Sequence, residues 1–431
     1  MVEESAIFPK ALQDQMHRVN IDPDEATKLL KDLRGGRYDH VKPLRAKDIP
    51  AIDGESVIDL SSGLRISRKD ANQNVHQLGM EISLNRFAME DGSDYVFSIN
   101  QLELLGTQLT PLLGFGLLNG GSASSYLDLA KNASEYGELF ELYRPYFDKV
   151  GELKSKPKGL TPAYVNPDGT LGYDFMALKL RAVFLEDMLC RETLKDQPPM
   201  SLFQMDSVLN HEAIASAVEG YACSELLRPL ANFVDRDRGV IATASQKLYP
   251  TFTNKPLHEM GLFFQKNGEL WPMPGGHGQV YWVLRDIFED MYRQGKKFVY
   301  ISNIDNIGAL VSRATVAYMA LTGKQAAFDF SFKTESDVKG GVAIIDENGR
   351  TNCADLGMAI SKEALREISP QKELLFNNAT GLFNLDWLVK NLDRIIEFLP
   401  MRISTQVKEV GTYKQAEQSL WEVMGLMEDK T

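Results

Sequence analysis

The sequence predicts an α/β protein: a mixed, mainly parallel sheet with helices on both faces, preceded by an N-terminal extension. Three observations carry this. Short apolar runs rich in β-formers, such as MSLFQM (200–205) and FVYIS (298–302), alternate along the chain with helical patterns. FMALKLRAVFLEDML (175–189) places Leu178, Val183, Leu185 and Met188 on one broad apolar side, the signature of a packed helix. The chain has 431 residues, 44% hydrophobic and 25% charged, which is ordinary for a globular protein and too long for a single core.

Taken in order, Asp22 and Pro23 begin a capped helix that Gly35 ends. Residues 37–60, rich in Pro, Asp and Lys, read as an irregular wrap, and 57–97 as short strands with polar turns. AAFDFSFK (326–333) alternates, with Phe328, Phe330 and Phe332 on one face. GVAIIDENGR ends in Asn348-Gly349, a hairpin turn. The predicted organisation is an N-terminal extension over 1–110, a catalytic domain over 111–400, and a short carboxyl-terminal segment over 401–431.

Composition narrows the function. A net charge of −12 argues against a nucleic-acid-binding face, but not against a phosphate pocket that needs a few local cations. No run approaches a membrane span, and the N-terminus lacks the basic start and apolar run of a signal peptide. Three scattered cysteines fit neither a disulfide framework nor a zinc cluster, and the expected compartment is the cytoplasm.

Ligands of such sheets lie at the carboxyl ends of the strands, so polar clusters just after apolar runs are the candidates. LLNGGSASSYLD, from Leu117, offers Gly120 and Gly121 for close approach to a flat base or a phosphate; a plain strand-to-helix turn is the alternative. SKPKGL, from Ser155, presents Lys156 and Lys158 in a stiff turn, suited to phosphate oxygens or simply to solvent. WPMPGGHGQVY, from Trp271, sets His277 among glycines with no apolar neighbours, as an exposed histidine awaiting a ligand. FVYISNIDNIGAL, from Phe298, runs from a buried strand into Asn303 and Asp305; a carboxylate there is placed to hold Mg²⁺ beside phosphates, or Asp305 or Asn306 caps a helix. FKTESDVKGGVAI puts Lys333 and Lys339 beside a glycine pair, which also reads as a surface hairpin end.

In order, these stretches resemble one family, the eukaryotic-type UTP–glucose-1-phosphate uridylyltransferases with their UDP-N-acetylglucosamine pyrophosphorylase relatives. That family carries L-N-G-G-L-G-T-S-M-G, G-P-K-S, Q-S-x-Y-P, P-P-G-H-G-D, S-N-I-D-N-L-G-A, T-R-A-D-V-K-G-G, F-N-T-N-N and N-A-K. This chain has LNGG at Leu118, KPKG at Lys156, QKLYP at Gln246, PGGHGQ at Pro274, SNIDNIGA at Ser302, TESDVKGG at Thr334, LFNNATG at Leu375 and TQVKEV at Thr405. The resemblance covers about 117–425 and implies a Rossmann-like, GT-A-like nucleotidyltransferase fold. It implies an enzyme joining UTP and a sugar 1-phosphate, glucose 1-phosphate above all, with Mg²⁺. N-acetylglucosamine or galactose 1-phosphate is the alternative substrate, and a non-catalytic UDP-sugar-binding protein the alternative class.

By the same resemblance, Gly120, Gly121, Met205 and Gln246 would form the uracil pocket, and Gly276 and His277 would lie along the uridine and phosphates. Lys158 would bind the triphosphate, Asp305 the metal, Asn303 the sugar and Asn377 the hexose. Lys339 would support the site, and Lys408 would match the family's late lysine on the sugar phosphate. The chain departs from the family at 122–127, where serines and Tyr126 replace the glycine loop. It also departs at 127–155, an insertion before the lysine, at Gln279 and Glu335, and after Gly425, where the family's β-helix has no counterpart.

Overall fold

The computed structural model describes residues 8–121, 129–151, 156–194, 198–221, 223–227, 241–334, 337, 340–356, 359–368, 373–408 and 410–427. At its centre is a nine-stranded sheet. In chain order its strands are β1 (Ala46–Asp48), β2 (Leu113–Leu118), β3 (Ser201–Ser207), β4 (Ala242–Gln246), β5 (Phe298–Asn303), β6 (Ala326–Phe332), β7 (Gly341–Asp346), β8 (Thr351–Asp355) and β9 (Leu375–Asn384). The spatial order is β1-β7-β9-β5-β2-β3-β4, with β6 also on β9 and β8 also on β7. Strands β5, β2, β3 and β4 are mutually parallel. Strand β9 runs against β5, β6 and β7, while β8 and β1 run against β7. The predominant direction is therefore the one shared by β2 to β7, as expected from the sequence.

The apolar run of β5 shows why the sheet is covered on both sides. Phe298 and Tyr300 join one core with Phe115. Val299 and Ile301 join the opposite one with Phe203 and Met205. A strand buried on both faces needs no polar alternation. Each such side chain contributes about 1.5–3 kcal/mol on burial. The first core is closed by helices Ile99–Leu109, Phe175–Thr193 and Arg313–Thr322. The second is closed by Arg285–Arg293, Leu385–Phe398 and the turn Leu420–Leu426.

The N-terminal helix Pro23–Arg34 is capped as the sequence predicts, Asp22 accepting from the amides of Asp24 and Glu25. It buries Leu29, Leu30 and Leu33 against Leu248, Tyr249 and Phe252. Residues 37–60 are not wholly irregular, since β1 pairs with β7. Within 57–97 a three-stranded sheet forms around an unforeseen helix, Arg68–Gln77, capped by Ser67. The hairpin at Asn348-Gly349 forms as predicted. The shared face of Phe328, Phe330 and Phe332 forms in part: Phe328 and Phe330 pack on the second core despite a register slip between them, and Phe332 is exposed.

A second hairpin, β10 (Arg402–Lys408) and β11 (Gly411–Glu417), packs Ile403 and Ala416 into the cluster that holds Leu248 and Phe252. Its base holds a buried ion pair. Arg402 Nε donates to both Glu422 oxygens, at 3.0 and 3.2 Å, and its guanidinium also reaches the Lys42 carbonyl at 2.6 Å. Burial pushes the Glu422 carboxyl up, and Arg402 opposes that push. The folded pKa lies above the unfolded one, so ionised Glu422 is a burden at pH above the folded value, relieved as pH falls. Arg402→Met is expected to cost about 3–5 kcal/mol at pH 8, because it leaves a buried charge uncompensated. That loss should shrink at pH 6 as Glu422 takes up a proton. Urea unfolding at the two pH values measures both effects; an equal loss at each would show that Glu422 does not titrate.

Candidate active site

Strand β2 lies beside β5, which comes much later in the chain, and beside β3, which follows it. Outward from β2 the order thus reverses, leaving a crevice at the carboxyl ends of β2 and β5. Leu118 pairs with Asn303 at that edge. The glycine stretch after β2 and the acidic stretch after β5 therefore emerge side by side.

Asn119 is wholly buried and belongs to the frame. Its amide donates to the Met205 carbonyl at 2.8 Å, its Nδ2 to Gln204 Oε1 at 3.2 Å, and its carbonyl accepts from Asn210 Nδ2 at 3.1 Å. These bonds lock the turn after β2 to the end of β3. Gly120 then passes so close to Gln246 that a Cβ there would lie 2.7 Å from Gln246 Oε1 and 3.0 Å from the Asp206 carbonyl. Met205, Gly120 and Gln246 are thus neighbours, as the uracil assignment requires.

Lys158 reaches the crevice despite the insertion that precedes it. Its amide donates to the Gly121 carbonyl at 2.9 Å, so the chain leaves and returns at one point. Its Nζ lies 2.6 Å from Asp305 Oδ2, and both side chains are about one-third exposed or less (26% and 35%). Asp305 does not cap a helix. The next helix, Arg313–Thr322, is capped by Ser312.

The loop carrying Asp305 is held from beneath by Lys179, a wholly buried residue of helix Phe175–Thr193. Lys179 Nζ donates to the carbonyls of Asn306, at 2.6 Å, and Ala309. Burial lowers its pKa to about 8, while Asp305 pulls it upward. Asn306 Nδ2 donates to the Asn378 carbonyl at 2.6 Å and ties this loop to β9. There Asn377 is buried, its Oδ1 accepting from the Ala379 amide at 2.7 Å. Its Nδ2 has no partner among the described residues. Ala379 adopts a positive φ of 52°, which turns the chain at this point. Asn303, the last residue of β5, and Asn377, in the amino-terminal part of the antiparallel β9, thus lie toward the same edge of the sheet.

The third wall is the glycine loop around His277. Gly276 has φ +88° and passes against the Gln418 backbone, where a Cβ would overlap the carbonyl. Gln418 clasps the loop twice, its amide donating to Gly275 O at 3.0 Å and its carbonyl accepting from Gly278 N–H at 2.9 Å. The Gly275 amide donates to the Lys247 carbonyl, fastening the loop beside Gln246.

His277 is half-buried and fixed, not mobile as the glycines around it suggest. Its Nδ1 accepts the Leu420 amide at 2.8 Å, and its ring lies 6.0 Å from that of Trp421. A backbone N–H aimed at Nδ1 leaves the proton of the neutral ring on Nε2. Burial lowers its pKa; Asp355 opposes that, and the Lys158 cation adds to it.

One of the expected residues stands elsewhere. Lys408 is exposed at the far end of hairpin β10–β11, paired with Gly411. At about 3.3 Å per residue this is roughly 20 Å along the strand from the Arg402 end. Lys408 thus stands at the opposite end of the hairpin from Arg402, with no hydrogen bond or ion pair to Lys158 or Asp305 among the described residues. Lys339 and the altered loop 122–127 lie outside the described residues.

The structure adds three residues that sequence reasoning missed. Lys179 had a visible signal, a lysine inside an apolar helix. Asp355, at the end of β8, is the acidic neighbour of His277, and Gln418 clasps the glycine loop. Neither stands in a pattern that marks it.

Among the described residues no group of three or more His, Cys, Asp or Glu is placed to hold a metal ion. A single carboxylate, Asp305, facing a crevice with a cation beside it fits Mg²⁺ that arrives on phosphates and keeps most of its water. Also among the described residues, no helix is long and apolar enough to cross a membrane.

Residues 225–425 match the model of a family, UDPGP, described as UTP–glucose-1-phosphate uridylyltransferase. A Schizosaccharomyces pombe protein named Probable UTP–glucose-1-phosphate uridylyltransferase is 26% identical over 280 residues, 62% of this chain and 51% of that protein. The Hordeum vulgare UTP–glucose-1-phosphate uridylyltransferase is 26% identical over 215 residues, 49% of this chain and 42% of its own. The chain thus spans about half the length of the curated relatives it matches. Among solved structures, the Trypanosoma brucei uridine diphosphate N-acetylglucosamine pyrophosphorylase superposes with a TM-score of 0.62 at 14% identity, covering 98% of this chain and 72% of that one. A Leishmania major UDP-glucose pyrophosphorylase variant in complex with UDP-glucose gives 0.54 at 15% identity, covering 97% and 73%. At these identities the structural likeness concerns the fold.

The fixed tautomer is testable. His277 is expected to remain neutral, with its proton on Nε2, at about pH 6, where an ordinary imidazole of pKa about 6.5 is mostly charged. Because its folded pKa is depressed, folding stability should fall as pH drops through the unfolded value toward the folded one. Nitrogen-15 NMR of the ring reads both tautomer and charge; a protonated ring at pH 6.5 would contradict the assignment.

Proposed function

We propose that this chain is a member of the UDPGP-type family, whose model residues 225–425 match, and joins UTP to a sugar 1-phosphate, glucose 1-phosphate first among them, releasing pyrophosphate. The observation that carries this reading is the 2.6 Å approach of Lys158 to Asp305, with Gly120 packed against Gln246 on the neighbouring strand end. A glycine turn and a paired cation and carboxylate meet at one strand edge, which suits a nucleoside triphosphate and its metal.

In the proposed reaction an oxygen of the sugar phosphate attacks the α-phosphorus of UTP in line. A new O–P bond forms, the bond from the α-phosphorus to the β-bridging oxygen breaks, and pyrophosphate leaves with those electrons. The attacking oxygen is already ionised, so no general base is needed. Two anions must approach, and catalysis is chiefly neutralisation and positioning. Bound Mg²⁺, on Asp305, would supply positive charge to the phosphates.

The chain's own groups do the rest. Gln246 and the Gly120 backbone orient the base, and Lys158 draws the phosphates toward the Asp305 side. The neutral His277 offers Nε2–H as a donor without adding charge. Asn303, at the end of β5, and Asn377, near the start of β9, accept the sugar. The unpartnered Asn377 Nδ2 is a buried donor whose cost a sugar hydroxyl would relieve.

Pyrophosphate release from UTP, with Mg²⁺, across glucose, galactose and N-acetylglucosamine 1-phosphates tests the proposal. Release with glucose 1-phosphate is expected to exceed the others, and UTP to exceed ATP, GTP and CTP. Lys158→Ala and Asp305→Ala should each lower turnover about 10²- to 10³-fold, the scale of a lost transition-state charge contact. UDP-sugar binding without turnover on any sugar would instead mark a binding protein.

A further inference from the structure

We infer that the Lys158–Asp305 ion pair is a latch that couples metal and triphosphate binding, so that the site accepts the metal–nucleotide complex and resists either component alone. The inference rests on the proposed function for the identity of the ligands, and on geometry for the coupling. In the structure the two groups satisfy each other at 2.6 Å.

A free divalent cation meets a carboxylate already neutralised, with an ammonium group at contact distance. A metal-free triphosphate meets a lysine already neutralised, with a carboxylate at contact distance. Either ligand alone must break one ion pair to make one, and then faces the like charge left behind. The metal–triphosphate complex brings both signs together: its anion takes Lys158, its cation takes Asp305, and one ion pair is exchanged for two.

The exchange requires both partners to stay where they are, and the structure provides this. The Lys158 backbone is fastened through its amide to Gly121 O. The Asp305 loop is fastened by Lys179 at the carbonyls of Asn306 and Ala309, and by Asn306 to the β9 end. Only the two side chains are left to swing. Coupling between ligands is reciprocal, so the effect of the triphosphate on metal affinity equals that of the metal on triphosphate affinity.

The test reads binding and not turnover, on the full chain. Mn²⁺, followed by electron paramagnetic resonance without nucleotide, is expected to bind Lys158→Ala about tenfold more tightly than the wild type. That figure takes the low end for a charge-assisted contact because both groups are partly exposed. Metal-free UTP, followed by calorimetry in the presence of chelator, is expected to bind Asp305→Asn about tenfold more tightly than the wild type and Lys158→Ala more weakly. Lys158→Met, of similar length and uncharged, repeats the first measurement should the alanine variant fold poorly. UMP binding monitors the base pocket throughout.

A merely structural ion pair would weaken both ligands when either partner is removed. Unchanged or weaker Mn²⁺ binding in both Lys158 variants, with UMP binding intact, would overturn the latch. Loss of all uridine nucleotide binding in the wild type would overturn the functional reading instead, while the Mn²⁺ comparison would still decide the latch.

Discussion

The site depends on one register, the parallel pairing of β2 with β5 that sets Leu118 opposite Asn303. A parallel strand pair delivers both carboxyl ends to the same edge, and only there can two segments far apart in sequence face each other across a few ångströms. Shifting the pairing by one residue would turn Phe115 and Tyr300, which stack in one core, toward opposite faces. Because β5 is apolar on both faces, each core would resist such a slip. The core therefore specifies the crevice: the same side chains that bury β5 place Asp305 beside the turn that carries Gly120.

The site also carries costs that the surrounding structure offsets. Lys179 is charged, wholly buried and bonded to two carbonyls in place of a carboxylate. Its depressed pKa is the measure of that desolvation, only partly countered by Asp305. Ala379 holds a left-handed backbone, and Asn377 keeps a buried donor without a partner among the described residues. Such features accumulate where a ligand, not the fold, supplies the missing interaction. All three lie on the β5 and β9 side of the crevice, where the sugar would sit. The Gly120–Gln246 side has such atoms too, since Asn119 Oδ1 and Asp206 Oδ1 are buried without a partner among the described residues.

Much of this was legible in the sequence. The double-sided apolar run of β5, the alternation of strands with helices, and the cap at Asp22 follow from local physics. The motifs after β2 and β5 and the loop at Gly276 were legible through their order along the chain, since a stretch of this kind taken alone also reads as a turn or a helix cap. What failed was whatever depends on distant backbone. His277 reads as exposed among glycines; its anchor is an amide at Leu420, far along the chain. Lys408 resembles a late lysine by its neighbours, but β-pairing with Gly411 carries it to a hairpin end. Lys179 looks like an amphipathic imperfection until the loop beneath which it lies is known.

The insertion between Gly121 and Lys158 shows why a departure in sequence need not be one in space. Helices Leu129–Tyr136 and Glu138–Gly151 lie between the glycine turn and the lysine that would serve it. By sequence distance alone, such an interruption would separate them. Yet closing a loop costs only about 0.6 kcal/mol more for each doubling of its length. A single backbone hydrogen bond, worth about 0.5–1.5 kcal/mol net, is of the size needed to offset it. The Lys158 amide makes that bond with Gly121 O. Lys158 and Gly121 therefore act as neighbours whatever lies between them, and the insertion leaves the charge beside the glycine turn.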